Sequence, residues 1–180
     1  MADSSMALRL EALPARALIS VRTEPRADSH WLGEALGVRW QQQPMTLHYA
    51  QGLRWWSTAP GVWLIDGSSE DEEKLYLAIN AASQARIAMV TVVSDALGAI
   101  GLSGSESALI DLFVRAGPVG SEVLAGRCVA TRLGAFAITM FEWPASSRRD
   151  AAATRQIELR VERPHLGSLT QRLMQLGARG

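Results

Sequence analysis

One order of elements runs through this 180-residue chain twice. Strand, helix, strands, helix can be read over about residues 16–84 and again over about residues 96–178. A repeat of that kind points to an α+β fold made of two strand-helix-strand-strand-helix halves with mostly antiparallel sheets, in a single domain spanning 1–180. The likeness between the halves is one of pattern, not of residue identity. The length fits it, since 180 residues make one ordinary domain or two small halves sharing a core.

Local signals place the elements. Leu18, Ile19 and Val21 mark a strand. Asp28 or Ser29 caps a helix to about Leu36, with Trp31, Leu32, Ala35 and Leu36 on one face and Gly37 as its stop. Met45–Ala50 and Leu53–Ser57 read as a hairpin around Gln51-Gly52, and Ala59-Pro60-Gly61 turns the chain into a strand over Val62–Asp66. After Ser68 or Ser69, four acids, Glu70 to Glu73, suit the positive end of a helix dipole; Leu75, Ala78, Ile79 and Ala82 form its apolar stripe.

In the second half, Arg86–Val93 is β-branched and apolar on both faces, which predicts a buried strand. Ala96–Ser103 is a further strand, and Ser105–Ala116 is a helix ended by Gly117-Pro118. Cys128–Leu133 and Ala135–Trp143 form a hairpin around Gly134, and 144–153 reads as an exposed loop. Ile157, Leu159 and Val161 alternate inward with Glu158 and Arg160 outward. A last helix follows Pro164 with Leu166, Leu169, Leu173 and Leu176 on one side.

Charge narrows the partners. Eighteen basic residues balance 18 acidic ones, which excludes a generally basic nucleic-acid binder. Neutrality also favours association. Lys74 is the single lysine, and an arginine surplus reflects either codon bias or interface chemistry. A lone cysteine, Cys128, allows no intrachain disulfide, so a cytoplasmic protein is expected. No apolar run approaches the ~20 residues of a membrane-spanning helix.

No catalytic constellation can be read. Gly98, Gly101 and Gly104 are spaced G-x-x-G-x-x-G, which meets neither phosphate-binding fingerprint and suits a strand-to-helix turn. None of His30, His48 and His165 lies in an HxH, HxxxH or HxxE spacing, and one cysteine cannot build a zinc site, so no catalytic, cofactor-binding or metal-ligating residue is assigned. Cys128 lies in an apolar strand with no obvious basic partner and reads as an inert core residue rather than a nucleophile. Six tryptophans remain to be explained. Trp55 and Trp56 are adjacent in a strand and must point to opposite faces. They are either core and rim residues or the anchors of an interface, where Trp and Arg dominate.

Four segments together resemble one family. Thr58-Ala59-Pro60-Gly61-Val62-Trp63-Leu64-Ile65 resembles the "gPdeWLl" signature of the gamma subunit of heterotetrameric sarcosine oxidase. Val92-Val93-Ser94-Asp95-Ala96 with Leu102–Ala108 resembles its "vSdar…LsGpaA" stretch, Thr131-Arg132-Leu133-Gly134 its "TrLg" hairpin, and Glu158–Leu176 its final strand and helix. Gly61-Val62 departs from the family's "de", and Glu162-Arg163-Pro164-His165 stands where the family often has an Arg-Ser pair. The parent complex is then a sarcosine oxidase or a related N-methyl amino-acid oxidising complex.

The resemblance implies a fold similar to the folate-binding domain of glycine-cleavage T-protein. It implies a non-catalytic subunit of a flavoenzyme that oxidises sarcosine to glycine and passes the methyl carbon to tetrahydrofolate. FAD, FMN, NAD and tetrahydrofolate would then sit on the alpha, beta and delta partner subunits, with this chain packed chiefly on the folate-binding part of the large one. The expected outward anchors are Arg54, Trp55 or Trp56, Trp63 and Arg132. The alternatives are a stand-alone folate-binding module and, with less support, a stand-alone one-carbon transferase.

Overall fold

The structure, a computed structural model, describes residues 8–117, 127–143 and 154–178. Ten strands and four helices follow one another as β1 (Arg9–Ala12), β2 (Ala17–Thr23), α1 (His30–Leu36), β3 (His48–Ala50), β4 (Leu53–Ala59), β5 (Val62–Gly67), α2 (Glu72–Ser83), β6 (Ala88–Val92), β7 (Leu97–Gly104), α3 (Glu106–Ala116), β8 (Val129–Leu133), β9 (Phe136–Glu142), β10 (Arg155–Glu162) and α4 (Leu166–Gln175). A single 3-10 turn leads into each of α2 and α4.

Two compact units result, residues 15–95 and residues 1–14 with 96–180. Each holds one five-stranded sheet, ordered β3-β4-β5-β2-β6 in the first and β1-β7-β10-β9-β8 in the second. Every strand pairing is antiparallel, which is the α+β arrangement expected. Written from opposite ends, the two sheet orders match strand for strand, with β1 in the place of β6. The leading strands are therefore exchanged. β1 precedes β2 in the chain yet pairs with β7, and β6 precedes β7 yet pairs with β2.

Local chemistry explains the joints. Gln51 and Gly52 both have positive φ, 50° and 81°, as a two-residue hairpin with the right twist requires. Gly61 has φ 73°, and a Cβ there would lie 2.5 Å from the Thr23 carbonyl, so this turn admits only glycine. The Ser105 hydroxyl caps α3 by accepting from the Ala108 amide at 3.3 Å.

In the first unit, α1 and α2 cover one sheet face. Trp31, Leu32, Leu75 and Ile79 pack on Ile19, Val21, Trp55 and Ile65. In the second, Leu109, Leu112, Phe113, Leu169 and Leu173 cover Leu102, Ile138, Met140, Leu159 and Val161. Gly98, Gly101 and Gly104 all lie within β7, and Leu166 fills the space that a side chain at Gly98 would take.

Two expectations are corrected. β6 is an edge strand: Met89 and Val92 are exposed, and Ile87 just before it is 79% exposed. β10 is the centre of its sheet, and Glu158 and Arg160, read as outward, are buried. Both faces of β10 are buried, and Arg160 Nε donates to Glu158 Oε1 at 2.7 Å, so the two charges are buried as a pair. The loop expected over 144–153 lies outside the described residues.

Candidate functional site

The expected anchors fall into two groups. Trp55 is 1% exposed, Trp56 0%, Trp63 6% and Arg54 4%, so none of these four is an outward anchor. The physical reason is their place in the sheet. β4 and β5 are inner strands, and both of their faces are sheltered. Arg132 alone is exposed, and its Nη2 donates to the Ala135 carbonyl at 2.8 Å across the β8–β9 turn.

Trp55 and Trp63 belong to an internal aromatic stack. Trp40 lies on Trp55 with ring centroids 5.0 Å apart and planes 12° from parallel, and it meets Trp63 edge-on at 5.3 Å. His48 also stacks on Trp55, with ring centroids 5.6 Å apart. The polar atoms of Trp40, Trp55 and His48 have partners, as buried rings of this kind usually do. Trp40 Nε1 donates to Ser29 Oγ and Trp55 Nε1 to the Gln41 carbonyl, both at 3.1 Å. His48 Nε2 donates to the Gln43 carbonyl at 3.3 Å, and its Nδ1 lies 3.0 Å from the Gln41 side-chain amide. Burial holds the His48 pKa below its ordinary value, with the Gln43 hydrogen bond acting the other way.

The opposite face of this sheet carries charge instead. Arg54 and Asp66 are directly opposed across β4 and β5, and the guanidinium grips the carboxylate with Nε–Oδ1 at 3.2 Å and Nη2–Oδ2 at 2.7 Å. Arg16 pairs with the same carboxylate from the edge. Buried pairs of this kind are costly to break, because one charge is left in a poorly solvated place. Arg54 is thus a structural residue of the sheet.

Among the described residues no group of three or more His, Cys, Asp or Glu side chains could hold a metal ion. Cys128 is buried, and burial pushes its thiol pKa up to about 12, far from a reactive thiolate. Among the described residues no helix is long and apolar enough to cross a membrane.

Two features escaped sequence reading. The first is the bare edge of β6, with Ile87, Met89 and Val92 exposed and no charge between Arg86 and Asp95. Its counterpart β1 carries Arg9 and Glu11 at exposed positions, the usual protection of a free edge. The second is an open pocket of about 480 Å³ in the first unit, where three loops converge on Trp63. Pro25, Pro44 and Pro60, one in each loop, are the only sequence signals that mark it.

No protein-family model and no curated protein sequence matches the chain. Solved structures do. A chain of heterotetrameric sarcosine oxidase from Corynebacterium sp. U-96 superposes with a TM-score of 0.77 at 14% identity, over 97% of this chain and 85% of that one. Glycine cleavage system aminomethyltransferase T from Bartonella henselae superposes with a TM-score of 0.72 at 12% identity, over 98% of this chain. The match covers 48% of that enzyme, so the chain spans about half its length. This protein therefore has the T-protein-like α+β fold found in a chain of heterotetrameric sarcosine oxidase and in aminomethyltransferase T.

Proposed function

We propose that this chain is a gamma-type, non-catalytic subunit of a sarcosine oxidase-like flavoenzyme, docked on the folate-binding part of a larger subunit. In this reading FAD, FMN, NAD and tetrahydrofolate are held by the partner subunits. The complex oxidises an N-methyl amino acid of the sarcosine class and hands the methyl carbon to tetrahydrofolate. One observation carries the reading. The likeness runs almost end to end with a chain of a heterotetramer, whereas only half of the aminomethyltransferase is spanned. The apolar edge of β6 supplies the surface that an assembled subunit would hide, because long bare edges invite pairing with another chain.

Co-expression with the alpha, beta and delta subunits of a heterotetrameric sarcosine oxidase, followed by size-exclusion chromatography, tests the proposal. The expected result is a stable complex with this chain present. An Ile87→Glu/Met89→Glu variant should leave the isolated chain folded and reduce its recovery in the complex at least about tenfold, the effect of ~1.4 kcal/mol at an interface. Elution of this chain alone, whatever the variant, would overturn the reading. Saturable tryptophan quenching of the isolated chain by tetrahydrofolate would support a folate-binding module instead.

A further inference from the structure

β6 is bonded to β2 and, among the described residues, to no second strand. The Val93 amide donates to the Leu18 carbonyl at 2.8 Å, in the register that pairs Val92 with Ile19. The Thr23 amide, bonded to Gly61 on the β5 side of β2, fixes the same phase. Antiparallel bonding alternates along a strand, so Met89, Thr91 and Val93 direct their backbone groups to β2. The N–H and C=O groups of Ala88, Val90 and Val92 point away from the sheet.

The other sheet edges are protected. β1 carries Arg9 and Glu11, β8 carries Arg132, and β3 is three residues long. Charge and shortness keep an edge from pairing. From Ile87 to Ser94 there is no charged residue, and Ile87, Met89 and Val92 are all exposed. An edge of this kind is matched by an uncharged strand of the same length, and β6 is itself such a strand. A second copy turned about a twofold axis at Val90 sets Val90 opposite Val90, Ala88 opposite Val92 and Met89 opposite Thr91. Every outward N–H and C=O of Ala88, Val90 and Val92 then meets a partner. The Arg86 end of one copy comes to the Asp95 end of the other, so no like charges are opposed and opposite ones are brought together.

We propose that the chain, when free of other partners, forms a twofold dimer through β6, joining the β6-bearing sheets of two copies edge to edge by antiparallel pairing centred on Val90. This goes beyond the subunit reading and does not rest on it. A partner subunit docked on β6 occupies the place of the second copy, so docking and self-pairing exclude each other.

Sedimentation equilibrium of the full chain tests the proposal. The expected result is a monomer–dimer equilibrium with a Kd of about 10 μM, as suits a small interface. Val90→Pro removes an outward N–H and none of the bonds to β2. It should keep native near-ultraviolet circular dichroism and raise the Kd at least about tenfold. Met89→Lys and Thr91→Glu should each do the same. An equimolar mixture of these two variants should dimerise again, because the new cation at position 89 lies opposite the new anion at position 91 of the other copy. The charge variants and their mixture decide the matter if Val90→Pro unfolds. A chain that stays monomeric at about 100 μM, a Kd unmoved in every folded variant, or no recovery in the mixture would overturn the proposal. The measurement contains no partner subunit, so its failure leaves the subunit reading standing.

Discussion

β10 and β6 are both antiparallel strands of five-stranded sheets, and their environments are reversed relative to their chemistry. β10 is bonded on both sides, to β7 and β9, and keeps Glu158 and Arg160 buried with Arg160 Nε 2.7 Å from Glu158 Oε1. β6 is bonded only to β2 and leaves Met89 and Val92 in the open. Rank within the sheet decides burial here, and composition does not. Charge is tolerated at the centre because the two ions satisfy each other. Apolar groups are tolerated at the edge because a few exposed methyl groups cost little on their own.

The largest expected effect breaks the inner strand. Arg160→Leu should destabilise the protein by about 3–5 kcal/mol in urea unfolding, because it removes a buried guanidinium hydrogen-bonded to the buried Glu158 carboxylate. A Glu158→Gln/Arg160→Met double variant should recover much of that loss. A cost below ~1 kcal/mol for the single variant would mean that water reaches the site. Somewhat smaller is the cavity left by Leu159→Ala on the other face of β10, about 2–5 kcal/mol by the same measurement.

The third prediction concerns β3, the opposite edge of the sheet that ends in β6. There His48 is buried, with its pKa lowered. The unfolded chain then binds a proton more readily than the folded one. Stability should be full above about pH 6.5 and fall as the pH drops below it. His48→Asn should flatten that part of the profile, as read from urea midpoints at pH 7.5 and 5.5. An unchanged profile would remove His48 as the cause.

The smallest effect belongs to the exposed edge. Met89→Glu should change stability by no more than about 0.5 kcal/mol, since Met89 is 53% exposed on an edge strand. A large loss would show that β6 is not the open edge its exposure indicates. Together with Arg160→Leu, this variant measures the whole contrast between centre and edge.

Much of the fold was legible because its signals are local. Gly37 and Gly117 ended helices where expected, and Gln51-Gly52 and Gly134 turned hairpins, since each position needs a backbone conformation that few residues accept. The apolar faces of α3 and α4 were equally readable, with Leu109, Leu112, Leu169 and Leu173 fully buried. The candidate site was far less legible. Adjacent tryptophans in a strand must diverge, but nothing in the pattern says that both faces are sheltered. Trp55 and Trp56 therefore read as partly outward and are not. The pocket is assembled from three loops separated by about fifteen residues each, a convergence that no spacing rule anticipates.

By itself the sequence determined the order of every element after β1, most turns and the helix faces, because dihedral preference, capping and periodicity act within a few residues of the chain. Only the tertiary structure decided which strand became an edge, that β1 and β6 trade sheets, and where charge could be buried. Those outcomes depend on which strands find each other across the chain, and strand pairing is a contest among distant segments that local preference does not settle.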